Sequence, residues 1–250
     1  MEKQGRSAQH SFFAGFWDGV PIGLGYFSVS ITFGMMAVAS GLPVWAGVAI
    51  SMTNVTSAGQ FAGLSVMCAG GSLFEMALTQ LIINLRYALM SLSVSQKLAP
   101  QVNLIDRLLF SFMMTDEVFA VASGQREEIG RRYCFGLMLA PYFGWACGTL
   151  CGAIASGFLP DSVRNALGIA IYGMFIAIVV PVARQSKAVL GVVALAAALS
   201  CGIHYLPVLR NVSGGFAIIL CTVIAASAGA LLAPVAVHEH PAPTETGAST

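Results

Sequence analysis

Charge is what this sequence has least of. Only 9% of its 250 residues are Asp, Glu, Lys or Arg, against about 25% in an average soluble domain. On a chain that is 57% apolar, so few charges cannot cover a water-facing surface. Basic runs are missing as well, and a net charge of +1 marks no nucleic-acid partner. Of the four histidines, at 10, 204, 238 and 240, only His204 lies near an apolar segment, so the chain is short of a buried general base. Neither His-Glu-x-x-His nor a Gly-x-x-x-x-Gly-Lys loop occurs, which argues against a zinc hydrolase and against ATP hydrolysis on this chain. The six cysteines, at 68, 134, 147, 151, 201 and 221, sit in or at the ends of apolar segments and read as small hydrophobes rather than a disulfide framework. Cys147 and Cys151 share a helix face, but no His or carboxylate stands near them, so no metal and no other cofactor is expected.

What the chain has in quantity is apolar segments of about 20 residues, each able to cross a hydrocarbon core about 30 Å thick. They predict an all-α, polytopic helical membrane protein in one domain over 1–250, with a helical core over about 12–236 and a polar, disordered tail over 238–250. Windowed hydropathy places eight transmembrane helices at 15–39, 44–69, 73–95, 104–122, 133–157, 165–182, 188–204 and 214–236. Thr115-Asp116-Glu117 interrupts the fourth, and Pro21, Pro141 and Pro181 predict kinks. Ala37-Val-Ala39 imitates a signal-peptide cleavage site. The apolar stretch before it is too long for one and carries Asp18, so an uncleaved first span is expected.

Counting Lys and Arg sets the orientation. Eight crossings with both termini cytoplasmic put Lys3, Arg6, Arg126, Arg131, Arg132, Arg184 and Lys187 inside, against Lys97, Arg107, Arg164 and Arg210 outside. A single re-entrant second span would even the tally. The phrase Ala37-Val-Ala39-Ser40-Gly41-Leu42-Pro43 returns as Ala153-Ile-Ala155-Ser156-Gly157-Phe-Leu-Pro160, which suggests two repeated halves: parallel with four spans each, inverted if one segment fails to cross. Gly15, Gly19 and Gly23, and likewise Gly144, Gly148 and Gly152, each mark a helix face that a neighbour can approach closely.

The polar residues concentrate in one stretch. Ser51, Thr53, Asn54, Thr56, Ser57, Gly59 and Gln60 are followed by Gln80, Asn84, Arg86 and Tyr87, all within apolar flanks. At membrane depth such groups must face one another, water or a ligand. Gln80, Asn84 and Tyr87 share a helix face, while Arg86 points about 160° from Asn84. For 51–60 two readings stand: hydrogen-bonded helix packing, or a binding segment unwound near Gly59. Arg86 needs a carboxylate, first Asp116 or Glu117 and then Asp18 or Glu75 nearer helix ends, and the pair is either a structural lock or a proton relay or substrate anchor.

Ser57-Ala-Gly59-Gln60-Phe61, Asn84-Leu-Arg86-Tyr87 and Thr115-Asp116-Glu117, in that order, with Val20-Pro21-Ile22-Gly23 and Phe33-Gly34 before them, closely resemble the AzlC type of branched-chain amino-acid permease. By motif the resemblance covers about residues 12–125. It implies a bacterial inner-membrane secondary transporter that exports small amino acids, above all valine, leucine and isoleucine. The export would be proton-coupled, with a small AzlD-type membrane subunit as partner. Thr53, Asn54, Ser57, Gly59, Gln60, Gln80, Asn84 and Tyr87 are then the expected substrate-binding residues, and Arg86, Asp116 and Glu117 the coupling residues. The competing readings are an uncoupled channel or membrane scaffold and, with less support, an intramembrane enzyme.

Overall fold

Apolar sequence in long helical windows folds here into helices throughout. The computed structural model describes residues 11–158, 179–206 and 212–233, together with Ser162, Gly173 and Ile176. Its helices are α1 (Phe12–Ala39), α2 (Val44–Thr53), α3 (Ser57–Cys68), α4 (Leu73–Ser95), α5 (Leu104–Phe112), α6 (Asp116–Gly124), α7 (Arg131–Ala155), α8 (Lys187–Tyr205) and α9 (Gly214–Leu232). Residues 179–185 are helical too. Among the described residues there is no strand, only one isolated backbone bridge between Leu98 and Ile129. Most of the predicted span 165–182, the tail 238–250 and Pro160 of the repeated phrase lie outside the described residues.

The spine is the pair α1 and α7. A Cβ added at Gly23 would lie 2.7 Å from the Ala140 carbonyl oxygen, and Cβ atoms at Gly15 and Gly34 would strike the α7 backbone near Tyr133 and Thr149. From α7, Gly136, Gly144, Gly148 and Gly152 face the α1 backbone at Phe12, Gly23, Phe27 and Ile31 in turn. Residue numbers rise together along both helices, so they run parallel with backbones in contact. Lipid supplies no hydrophobic force between helices, and close packing of this kind is what holds them. Pro21 and Pro141 sit inside α1 and α7 without ending either helix.

Two of the predicted spans are built differently from the expectation. The segment 44–69 is α2 and α3, separated by extended residues at Asn54 (φ −140°, ψ 90°) and Thr56 (φ −133°, ψ 113°). The segment 104–122 becomes α5 and α6, separated at Met113–Thr115. Neither crosses. Leu64 of α3 returns to pack with Phe33 and Ala37 near the end of α1 and with Leu42 in the loop that α2 leaves, so α2 and α3 form a hairpin entering from that end. At the opposite end Lys97 Nζ donates to the Ser123 carbonyl, Arg131 Nε meets Asp106 Oδ2 at 2.9 Å, and Gln125 reaches Tyr133. Those contacts fold α5 and α6 into a second hairpin from the other end. Five helices, α1, α4, α7, α8 and α9, are long and apolar enough to cross a membrane.

The chain therefore reads as α1 with its hairpin, then α4 with its hairpin in the opposite sense, then α7. This inverted pair differs from the repeat suggested by the phrase at 37–43 and 153–160, whose helices α1 and α7 are parallel neighbours. The hairpins also move Lys97 and Arg107 to the end that carries Arg126, Arg131 and Arg132. That end includes the start of α8, because α8 is antiparallel to α9 through Val192 and Gly229, and the start of α9 is fixed to Glu75 at the start of α4. Among the described residues every Lys and Arg except Arg86 then lies at that one end.

Candidate functional site

Each hairpin reverses at a threonine. Thr56 and Thr115 adopt the extended geometry that β-branched residues favour, and each caps the helix that follows: Thr56 Oγ1 accepts from Gly59 N at 3.2 Å, and Thr115 Oγ1 from Val118 N at 3.4 Å. The chain unwinds at Asn54–Thr56 rather than at Gly59, which is helical. Gly59 is needed for room, since a Cβ there would sit 2.7 Å from Gln80 Oε1.

Unwound backbone at membrane depth needs internal partners, and the long amides supply them. Gln60, 1% exposed, donates to the Asn54 carbonyl and accepts from Trp145 Nε1 at 3.0 Å. Gln80 Nε2 donates to the Gly59 carbonyl at 2.7 Å, while its Oε1 accepts from Asn54 and Asn84. Ser51 bonds Thr149 of α7 at 2.7 Å, and Tyr142 donates to the Met52 carbonyl at 3.0 Å. Gly59, Gln60 and Gln80, expected among the substrate ligands, thus brace the first hairpin from behind.

Between the tips, α1, α4 and α7 enclose a cavity of about 880 Å³. Its polar wall is Tyr26, Ser57, Arg86, Tyr87, Thr115, Asp116 and Glu117, and much of the remainder is aliphatic, from Ile22, Val29, Val55, Ile82, Ile83 and Val179. Arg86 meets Asp116 at 3.0 Å and donates to the Tyr87 hydroxyl at 2.8 Å, its guanidinium 4.7 Å from that ring. Glu117 accepts from Tyr26 instead. Both half-helices, α3 and α6, point their amino ends at the cavity, and the N–H groups of Ser57 and Ala58 have no acceptor among the described residues.

A second, smaller cavity of about 170 Å³ lies between the tips, lined by Thr53, Asn54, Val55, Thr56, Asn84, Tyr87, Ser111, Phe112 and Met114. The expected site residues are thereby divided. Ser57, Arg86, Asp116 and Glu117 face the large cavity, Thr53, Asn54 and Asn84 the small one, and Tyr87 both. Arg86 and Asn84 thus line different cavities, while Tyr87, which the spacing puts on the Asn84 face, also accepts from Arg86. Asp18 and Glu75, the other carboxylates near helix ends, are engaged elsewhere, Asp18 by Tyr133 at 2.6 Å and Glu75 by Ser213 and Gly215 N. Sequence reasoning missed Tyr26 and Trp145. A lone aromatic in an apolar helix looks like core, and only the carboxylate at the second hairpin marks Tyr26 as part of the site.

The AzlC protein family matches residues 21–159, the stretch that builds the spine and both hairpins. The chain belongs to the AzlC family. Among its relatives is the inner membrane protein YgaZ of Escherichia coli, 28% identical over 197 residues that cover 76% of this chain and 80% of YgaZ. An uncharacterized membrane protein of Archaeoglobus fulgidus is 31% identical over 163 residues, 64% of this chain and 71% of that one. No solved structure matches. For an AzlC protein the match is informative in extent: it spans both hairpin tips and stops short of α8 and α9.

Proposed function

We propose that this AzlC protein is an inner-membrane secondary transporter that exports small amino acids, branched-chain ones first, with an AzlD-type subunit as partner and protons as coupling ion. The observation that supports this reading is the large cavity, where opposite charges, free helix N–H groups and an aliphatic wall converge at membrane depth. A zwitterion needs all three. Its carboxylate fits the amino end of α3 and Arg86, its ammonium fits Asp116 and Glu117, and a branched side chain fits Ile22, Val29 and Ile82. The volume, about 880 Å³, falls within the usual range for small-ligand pockets of about 300–1,000 Å³. Asp116 and Glu117 are the acceptors available for a proton when Arg86 or Tyr26 turns to substrate.

The test is flux in proteoliposomes holding this chain and its small subunit. Saturable leucine, valine and isoleucine movement that responds to an imposed pH gradient is expected, and flux that neither saturates nor responds would give the site to a channel. Ser57→Pro, which keeps the helix start but blocks its first N–H, should raise the leucine concentration for half-maximal flux about tenfold, as for loss of one hydrogen bond to a charged group.

The charge asymmetry supports a cytoplasmic place for the end bearing Lys97, Arg107 and Arg131, and for the termini with it. Single cysteines at Gln101 and Arg131 in a cysteine-free background should both resist an impermeant thiol reagent in intact cells, and both react in inverted vesicles. Labelling of one without the other would mean that 104–122 crosses after all.

A further inference from the structure

The small cavity between the hairpin tips has no role in the reading above, and its chemistry differs from that of its neighbour. The large cavity receives the amino ends of α3 and α6. The small one receives the carboxyl ends of the other two half-helices, Thr53 closing α2 and Ser111 and Phe112 closing α5. Carboxyl ends carry the negative end of the helix dipole and unpaired carbonyls.

The side chains add oxygen to that field. Gln80 Nε2 is held by the Gly59 carbonyl, which can only accept, so Gln80 Oε1 must face the other way. There it receives Nδ2 of both Asn54, at 3.3 Å, and Asn84, at 3.1 Å. With both amide nitrogens committed to one oxygen, both amide oxygens are left over, and among the described residues the buried Asn84 Oδ1 has no hydrogen-bond partner. Two hydroxyls are oriented in the same manner. Thr53 gives its proton to the Ala49 carbonyl at 2.8 Å and Ser111 to the Arg107 carbonyl at 2.9 Å, which leaves their oxygens as acceptors. Thr56 lines the cavity as well.

We propose that this cavity is a Na+ site, with Asn54 Oδ1 and Asn84 Oδ1 as its inner ligands and the hydroxyl oxygens of Thr53, Thr56 and Ser111 completing the shell. A buried amide oxygen without a donor is costly unless a cation or water meets it. No carboxylate is among the lining residues, so the cavity lacks the fixed charge that a divalent ion requires. Arg86, which touches Tyr87 at the shared wall, is offset by Asp116 at 3.0 Å. Tyr87 borders both cavities, so ion and substrate meet at one side chain, and Na+ becomes a second coupling ion beside the proton. The site rests on the transport reading only for that coupling; binding stands by itself.

The test uses the purified full chain and Na+ alone. Thermal unfolding is followed against increasing NaCl, with choline chloride holding ionic strength constant, and bound radioactive Na+ is counted directly. Saturable stabilisation by Na+ but not choline is expected. Asn84→Ala should abolish it, and Gln80→Ala, which frees the two asparagine amides, should weaken Na+ binding about tenfold, as loss of an orienting partner does at metal sites. Cys201→Ser, remote on α8, should keep it. If Asn84→Ala fails to fold, Asn84→Asp takes its place and should bind Na+ at least as tightly as the unaltered chain. Absence of Na+-specific binding in the unaltered chain, or full binding by Asn84→Ala, overturns the site and leaves the cavity to water. Amino-acid export without Na+ binding counts against the site alone. Na+ binding without export counts against the transport reading alone.

Discussion

Arg86→Gln should abolish export and also lower stability, whereas Arg86→Gln combined with Asp116→Asn should recover the stability but not the export. The pair lies at 3.0 Å with side chains 47% and 41% exposed toward the cavity. Removing one partner strands a charge at membrane depth, at a cost of about 1–3 kcal/mol, below the range for fully buried pairs because both groups still reach solvent in the cavity. Removing both strands nothing. The double variant thus separates a lock from a working pair: thermal unfolding in detergent reads the first, leucine flux in proteoliposomes the second. Recovery of flux with stability would reduce the pair to a structural tie. Glu117→Gln separates the two carboxylates, since its partner is the Tyr26 hydroxyl, which can donate equally well to an amide oxygen. Its fold should be little changed, and a change in the pH response of flux would place it in the coupling step.

Gly148→Ala should sharply lower the unfolding temperature and the yield of folded protein. A Cβ at Gly148 would run into the Phe27 carbonyl and the Ser30 hydroxyl, and one at Gly34 would meet the Thr149 carbonyl and the Ala153 N–H. Most of these neighbours are backbone, which cannot rotate away, so α1 and α7 must separate along the glycine faces. The expected cost is at or above about 3 kcal/mol, the upper end for overpacking, against a total stability of about 5–15 kcal/mol. Gly191→Ala on α8 is the control, because a Cβ there meets nothing within 4 Å. Size-exclusion profiles and unfolding temperatures of the two variants check the expectation. Normal folding of Gly148→Ala would mean that the two helices are not held by backbone contact.

The two effects have different visibility in the sequence. Glycine faces spaced by four residues show directly that α1 and α7 are made for close approach, though not that they choose each other. That Arg86 pairs with Asp116 or Glu117 shows because a membrane interior allows few other partners for the charge, and the structure selects Asp116. Gln60 and Gln80 bond the hairpin backbone, a use the sequence does not distinguish, since a long amide at depth looks the same whether it serves a substrate or the backbone of an unwound turn. Which it serves depends on where Asn54 O and Gly59 O lie, and those carbonyls are freed only once the helix has broken.

By itself the sequence determined that this chain is helical, that it lives in lipid, that its polar groups gather at 51–60, 80–87 and 115–117, and that it shares these with the AzlC family. Composition and spacing carry all of that, because burial in hydrocarbon penalises every polar side chain wherever the chain runs. Tertiary structure alone decided that 44–69 and 104–122 turn back instead of crossing. Hydropathy over about 20 residues is identical for one long helix and for two short arms. The reversal is made by three non-helical residues at each tip, and it is held by Gln60, Gln80, Trp145 and Asp106, which receive the groups it exposes or fasten its arms.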